Sequence, residues 1–160
     1  MTSYTIEDLI LDTLYYRRTN TDGSCLSTNI AGEELLLQSS ESLPKIEHVI
    51  GNVVAPAFLS QGESTFLGLT HVLGAYLLIG LRVDIPRVVR FLQRLPAALQ
   101  AEAISVIPVF FSQTDVECLG KPPSDQLILF LKQLEESDDS ILRDAAKRAM
   151  SSIPESYSSS

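Results

Sequence analysis

Asp138-Asp139-Ser140-Ile141-Leu142-Arg143-Asp144-Ala145-Ala146-Lys147-Arg148-Ala149-Met150-Ser151-Ser152-Ile153 is the most informative feature of this chain. An acidic turn opens it, and Leu142, Ala145, Ala146, Ala149 and Ile153 then recur three and four positions apart. Residues so spaced lie on one face of an α-helix, so the segment predicts an amphipathic helix. Its repeated alanines leave room for a neighbouring helix to come close. Just upstream, Leu127, Ile128, Phe130, Leu131 and Leu134 mark a second helix face. The link between the two, at Ser137-Asp138, is short enough only for antiparallel neighbours. The C-terminal part therefore predicts a helical hairpin, 123–136 with 139–153.

Working outward, two more pairs are predicted, 44–60 with 64–81 and 86–95 with 97–113. Pro44, Pro86 and Pro123 each stand just before a helical pattern, where the missing N–H of proline costs nothing. Pro56 and Pro108 fall inside predicted helices; each either kinks its helix or marks a boundary between shorter ones. Thr5 with Asp8 has the form of a capping box and opens a helix to about Arg18, with Ile6, Leu9, Ile10 and Leu14 on one face. Thr19 to Ser24 reads as a turn. Residues 25–40 are ambiguous, with Gly32 to Leu37 a candidate short helix and Ser39 to Ser42 its break. Strand signals are nearly absent.

With the hairpin at 125–153 in view, the pattern resembles a HEAT repeat, a stacking helical hairpin of the armadillo-like α-solenoid proteins. The resemblance implies structural roles for Asp139 and Arg143, which brace adjacent hairpins in such families. The proline spacings, 42 and 37 residues, suit the period of such pairs. The two earlier hairpins depart from the pattern: their second helices lack an Asp then Arg pair, and Pro96-Ala97-Ala98-Leu99 opens one of them. The expected fold is all-α, a short stack of antiparallel helical hairpins, with an irregular helical bundle as the alternative. It is expected as a single helical domain over 1–153, followed by a disordered serine-rich tail at 154–160.

Composition excludes several function classes. With 45% hydrophobic and 20% charged residues, the chain is globular and not disordered. Its formal charge of -8 disfavours nucleic acid and anionic membranes as partners. Cys25 and Cys118 form no paired motif, and the N-terminus lacks a signal core, so a reduced, cytoplasmic protein is expected. Phe66 to Leu81 is nearly all apolar but falls short of the ~20 residues a bilayer needs. It reads as a buried central helix, with no membrane insertion.

The charge is unevenly spread, and this yields the binding candidate. Arg82, Arg87, Arg90 and Arg94 face only Asp84 in residues 64–101, while the flanking stretches are acidic. Arg87, Arg90 and Arg94 share a helix face. The stripe is either a docking patch for an acidic partner, phosphate or nucleic acid, or a solvated face neutralised by Glu63, Glu102 or the C-terminal hairpin. No motif for a metal, nucleophile or phosphate loop occurs. His71 reads as a hydrogen-bonded core histidine, His48 as a partly exposed helix residue, and Cys25 as a small loop or core thiol. Gly68, Gly74 and Gly80 read as relief of crowding where helices cross. The acidic pairs Glu33-Glu34, Glu135-Glu136 and Asp138-Asp139 suit helix ends.

No catalytic residue, metal or cofactor is expected. The function expected is a non-enzymatic protein–protein interaction module using the face of stacked hairpins, including an inhibitor or immunity partner of a basic protein. The alternative is a nucleic-acid or phosphate-binding helical-repeat protein working from the Arg82–Arg94 stripe.

Overall fold

The computed structural model describes residues 5–15, 19–20, 28–29, 34–35, 37–61, 66, 68–107 and 125–152. The described chain is helical. Its elements are α1 (Ile6–Leu14), α2 (Leu43–Val49), a π-helical segment (Ile50–Val54), α3 (Ala55–Gln61), α4 (Leu69–Val83), α5 (Ile85–Gln93), α6 (Ala97–Val106), α7 (Asp125–Glu135) and α8 (Ser140–Ser152). Among the described residues the one β pairing joins β1 (Thr19–Asn20) to β2 (Thr28–Asn29), antiparallel, with Thr19 opposite Asn29. By contact pattern the chain divides into two compact units, Met1–Ile79 and Gly80–Ser160, with the division inside α4.

In the first unit, α1 starts where its cap dictates. The Asp8 amide donates to the Thr5 hydroxyl at 3.1 Å, and the Thr5 amide donates to the Asp8 carboxylate at 2.9 Å. Both bonds satisfy amides that a helix start leaves orphaned. These bonds, the Thr5 backbone amide first, hold the Asp8 carboxyl below its usual range. The helix ends at Leu14 with Tyr15 as its C-cap, residues 16–18 of the expected helix lie outside the described residues, and the Gly68 amide takes the Leu14 carbonyl at 2.9 Å. Leu9, Ile10 and Leu14 are buried, and α1 packs on α2. Glu34 and Leu35 are helical, with Leu35 buried.

Pro44 stands in the first turn of α2 and Pro86 in that of α5, as expected; Pro123 and Pro108 lie outside the described residues. Pro56 neither ends its helix nor marks a boundary. The helix runs on from Leu43 to Gln61, and the turn before the proline widens to π form, the Ala55 amide donating to the carbonyl of Ile50. The ring of a helix-interior proline clashes with the carbonyl four residues back, and a wider turn moves that carbonyl away. Asn52 supports the segment by donating from Nδ2 to the His48 carbonyl at 2.8 Å.

From Val72 to Leu81, α4 is buried at every position, as its composition predicts. His71 differs from expectation. It is exposed: in the first turn of α4 Leu69 turns inward while Thr70 and His71 lie on the outer side, and the unbroken buried run starts at Val72. Tyr76 is fully buried and donates from its hydroxyl to Oε2 of Glu47 at 2.5 Å, tying α4 to α2. Among the described residues, no helix is long and apolar enough to cross a membrane.

In the second unit, α5 packs on α6 and on α7, and α8 packs on α6 and on α7. The core is formed by Val88, Leu92, Leu99, Ile104, Leu127, Leu131 and the alanines 145, 146 and 149. Those alanines let α8 lie close against two helices. Gln100 is buried and donates from Nε2 to the Leu92 carbonyl near the end of α5. Among the described residues, no buried side-chain polar atom lacks a partner.

Candidate functional site

The arginine stripe begins with a cap. Asp84 sits at the N-cap of α5, and its Oδ1 accepts from the Arg87 amide at 3.2 Å. With the start fixed there, Val88, Phe91 and Leu92 turn inward, and Arg90 and Arg94 turn out to solvent. Arg87 is half-buried and Arg82 exposed. The Arg94 guanidinium lies over the Phe91 ring, 5.9 Å from its centroid, which holds it along the helix. Among the described residues neither Arg90 nor Arg94 pairs with a carboxylate. Glu102 is exposed, and Glu63 lies outside the described residues.

Packing of α5 against α7 leaves an open groove of about 270 Å³. Pro86, Val89, Leu129 and Phe130 give it apolar walls; Arg90, Gln126 and Gln133 are its polar groups. Leu129 is 57% exposed although it stands among the apolar residues of α7. The sequence singles out Arg90 but says nothing of the groove's far wall, which comes from a helix about forty residues further along the chain. Chemically the groove can bury an apolar side chain, donate to an anion through a guanidinium, and pair amides through two glutamines. None of these groups is a nucleophile or a base at neutral pH.

Comparison with family models, with curated proteins and with solved structures finds no match to this chain.

The remaining sequence candidates fall elsewhere. Asp139 caps α8: its Oδ1 accepts from the amides of Ile141 at 2.9 Å and Leu142 at 3.3 Å. Arg143 is half-buried and donates from Nη1 to the Ser137 carbonyl at 3.3 Å. Both side chains thus brace the turn of their own hairpin. His48 is exposed, with its Nδ1 3.1 Å from Asn52 Nδ2. Cys25 and Cys118 lie outside the described residues. Among the described residues no cluster of three or more His, Cys, Asp or Glu side chains has the arrangement to hold a metal ion.

Proposed function

We propose that the protein is a non-enzymatic protein–protein interaction module that docks a partner at the α5–α7 groove. The observation that carries this reading is the half-exposed Leu129 in an apolar groove rimmed by polar side chains. Soluble surfaces tolerate scattered apolar residues, but an apolar concavity with a polar rim has the anatomy of a docking site. The packing order within the second unit supports a HEAT-like stack: first helix on first helix (α5 on α7), second on second (α6 on α8). In such a stack the groove lies between successive first helices.

A role as an inhibitor or immunity partner of a basic protein belongs to the same proposal. It rests on the formal charge of -8 and would engage acidic surface beyond the groove. A cytoplasmic setting rests on two cysteines without a pairing motif.

A direct test pans a fully randomised peptide library on the whole chain and maps the selected peptides by amide chemical-shift changes. The expected result is perturbation confined to α5 and α7, abolished by Leu129→Asp. Peptides that map elsewhere, or that bind Leu129→Asp equally well, would refute the groove as the docking site. One observation favours a second reading: Arg90 and Arg94 are exposed on one face without a carboxylate partner among the described residues. Oligonucleotide binding that weakens steeply with salt and is lost in Arg90→Glu would establish that reading instead.

A further inference from the structure

We infer that the groove between α5 and α7 takes a short protein segment presenting an apolar side chain beside a carboxylate. This rests on the reading of the chain as an interaction module and specifies the partner's chemistry.

Size comes first. At about 270 Å³ the groove lies below the roughly 300–1,000 Å³ of sites for cofactors and drug-sized ligands. It matches one or two side chains. Its walls set the class of those side chains: Val89 is half-buried, Phe130 is buried, and Leu129 stands at the rim. An aliphatic or aromatic anchor would cover Leu129 and remove apolar area from water.

Charge comes next. Arg90 borders the apolar surface, and Arg94 follows it on the same face of the helix. The charges of α7 are Asp125, Lys132 and Glu135, a net of one negative, against Arg87, Arg90 and Arg94 along α5 and at its end. The arginines of α5 therefore set the local sign. A partner lysine beside the anchor would meet Arg90 as a like charge while losing its own hydration. A partner carboxylate would gain a charge-assisted, bidentate pair at the same place. Gln126 and Gln133 flank Leu129 along α7, three residues before it and four after it. Their amides each offer donors and an acceptor, which suits the backbone of a bound segment.

A phosphate backbone is the poorer occupant. Nucleic-acid grooves neutralise several phosphates in a row, and binding there would leave Leu129 and Phe130 without an apolar partner. An acidic, apolar segment uses both halves of the groove.

The experiment uses the full chain and three peptide libraries of identical apolar randomisation. Their polar positions carry only Asp and Glu, only Asn and Gln, or only Lys and Arg. Selected peptides are measured by fluorescence anisotropy against wild type, Arg90→Glu, Arg90→Gln and Leu129→Asp, all at exposed positions and each checked for an unchanged melting temperature. The expected winners come from the acidic library. They should bind about tenfold or more tightly than their amide-substituted counterparts, weaken with salt, lose this advantage in Arg90→Gln, and fail on Leu129→Asp. In Arg90→Glu the preference should reverse toward the basic library. Neutral or basic winners that map to the groove of wild type would overturn the acidic partner and leave the interaction reading standing. No enrichment at the groove from any library would overturn both. Preferential binding of an oligonucleotide through Arg90 would overturn the inference in favour of a phosphate ligand.

Discussion

The amide of Gly68 donates to the carbonyl of Leu14 at 2.9 Å, and this bond between distant residues caps the end of the first helix. In a continuing helix that carbonyl would accept from the amide of residue 18. The approach is close enough that a Cβ on residue 68 would stand 1.7 Å from the carbonyl oxygen of Thr13 and 2.8 Å from its carbon. Nearby, Tyr15 and Phe66 meet edge to face, ring centroids 5.5 Å apart. A residue without a side chain is thus required where the chain enters α4.

Gly68→Ala should destabilise the protein by about 2 kcal/mol or more, because the obstacle is backbone and cannot swing aside. The melting temperature should fall by roughly 4–8 °C. Gly51 is the control: it is exposed, and a Cβ there meets nothing within 4 Å. Gly51→Ala should raise stability by about 0.5–1 kcal/mol. Equal effects of the two changes would contradict the contact.

Tyr76→Phe keeps the buried ring and removes the hydroxyl that donates to Glu47. A hydrogen bond to a charged group contributes about 1.5–3 kcal/mol. Urea denaturation should show a loss in that range, with an unchanged slope. An unchanged midpoint would mean that the bond adds nothing to the hold between α2 and α4.

The turn of the last hairpin should show two separable contributions. Asp139→Ala removes the cap of α8 and should cost about 1 kcal/mol. Arg143→Ala removes the bond to the Ser137 carbonyl and should cost about 1 kcal/mol as well. The two side chains bond different partners, Ile141 and Leu142 for Asp139 and Ser137 for Arg143, so a double-mutant cycle should show the two losses adding. A melting temperature unmoved by either would detach this turn from the stability of the hairpin.

The capping box predicts a pH effect of known sign. The Asp8 carboxyl is held below its ordinary value of 3.8 by bonds to Thr5, backbone first. A depressed carboxyl stabilises the fold above its unfolded-state value, and that contribution disappears as pH falls through the folded-state value. Wild type should therefore be more stable than Asp8→Asn at neutral pH, and the two should converge as the solution is acidified below the ordinary carboxyl range. Parallel pH profiles would show that the carboxylate charge is not what the cap uses.

Local features of this fold are legible in the chain. The Thr5–Asp8 box, the first-turn prolines 44 and 86, the buried run of α4 and the α7–α8 hairpin all depend on residues close in sequence. What escapes the sequence is set by distant neighbours. The end of α1 is capped by Gly68, and the partner of Tyr76 is Glu47, 29 positions away. His71 reads as buried because the residues after it are buried, yet it and Thr70 are exposed in the first turn of α4. The arginine stripe is visible as a pattern, but the apolar wall beside Arg90 exists only once α7 packs on α5. The resemblance implies structural roles for Asp139 and Arg143; among the described residues their side-chain bonds lie in the turn and first residues of α8.

The widened turn at Ile50–Val54 has a consequence for alignment along its helix. Ile46, Ile50, Val54 and Phe58, all buried, follow one another at strict four-residue steps. In a regular helix such a row swings about 40° around the axis at each step. Three steps would carry Phe58 well away from Ile46. A turn closed by bonds five residues back takes in more residues per revolution and cancels much of that drift. The segment acts as a phase corrector, keeping one straight apolar seam from Ile46 to Phe58, and Pro56 is the residue that resists a return to the narrower turn. Shortening the segment by one residue would rotate everything after it off the seam.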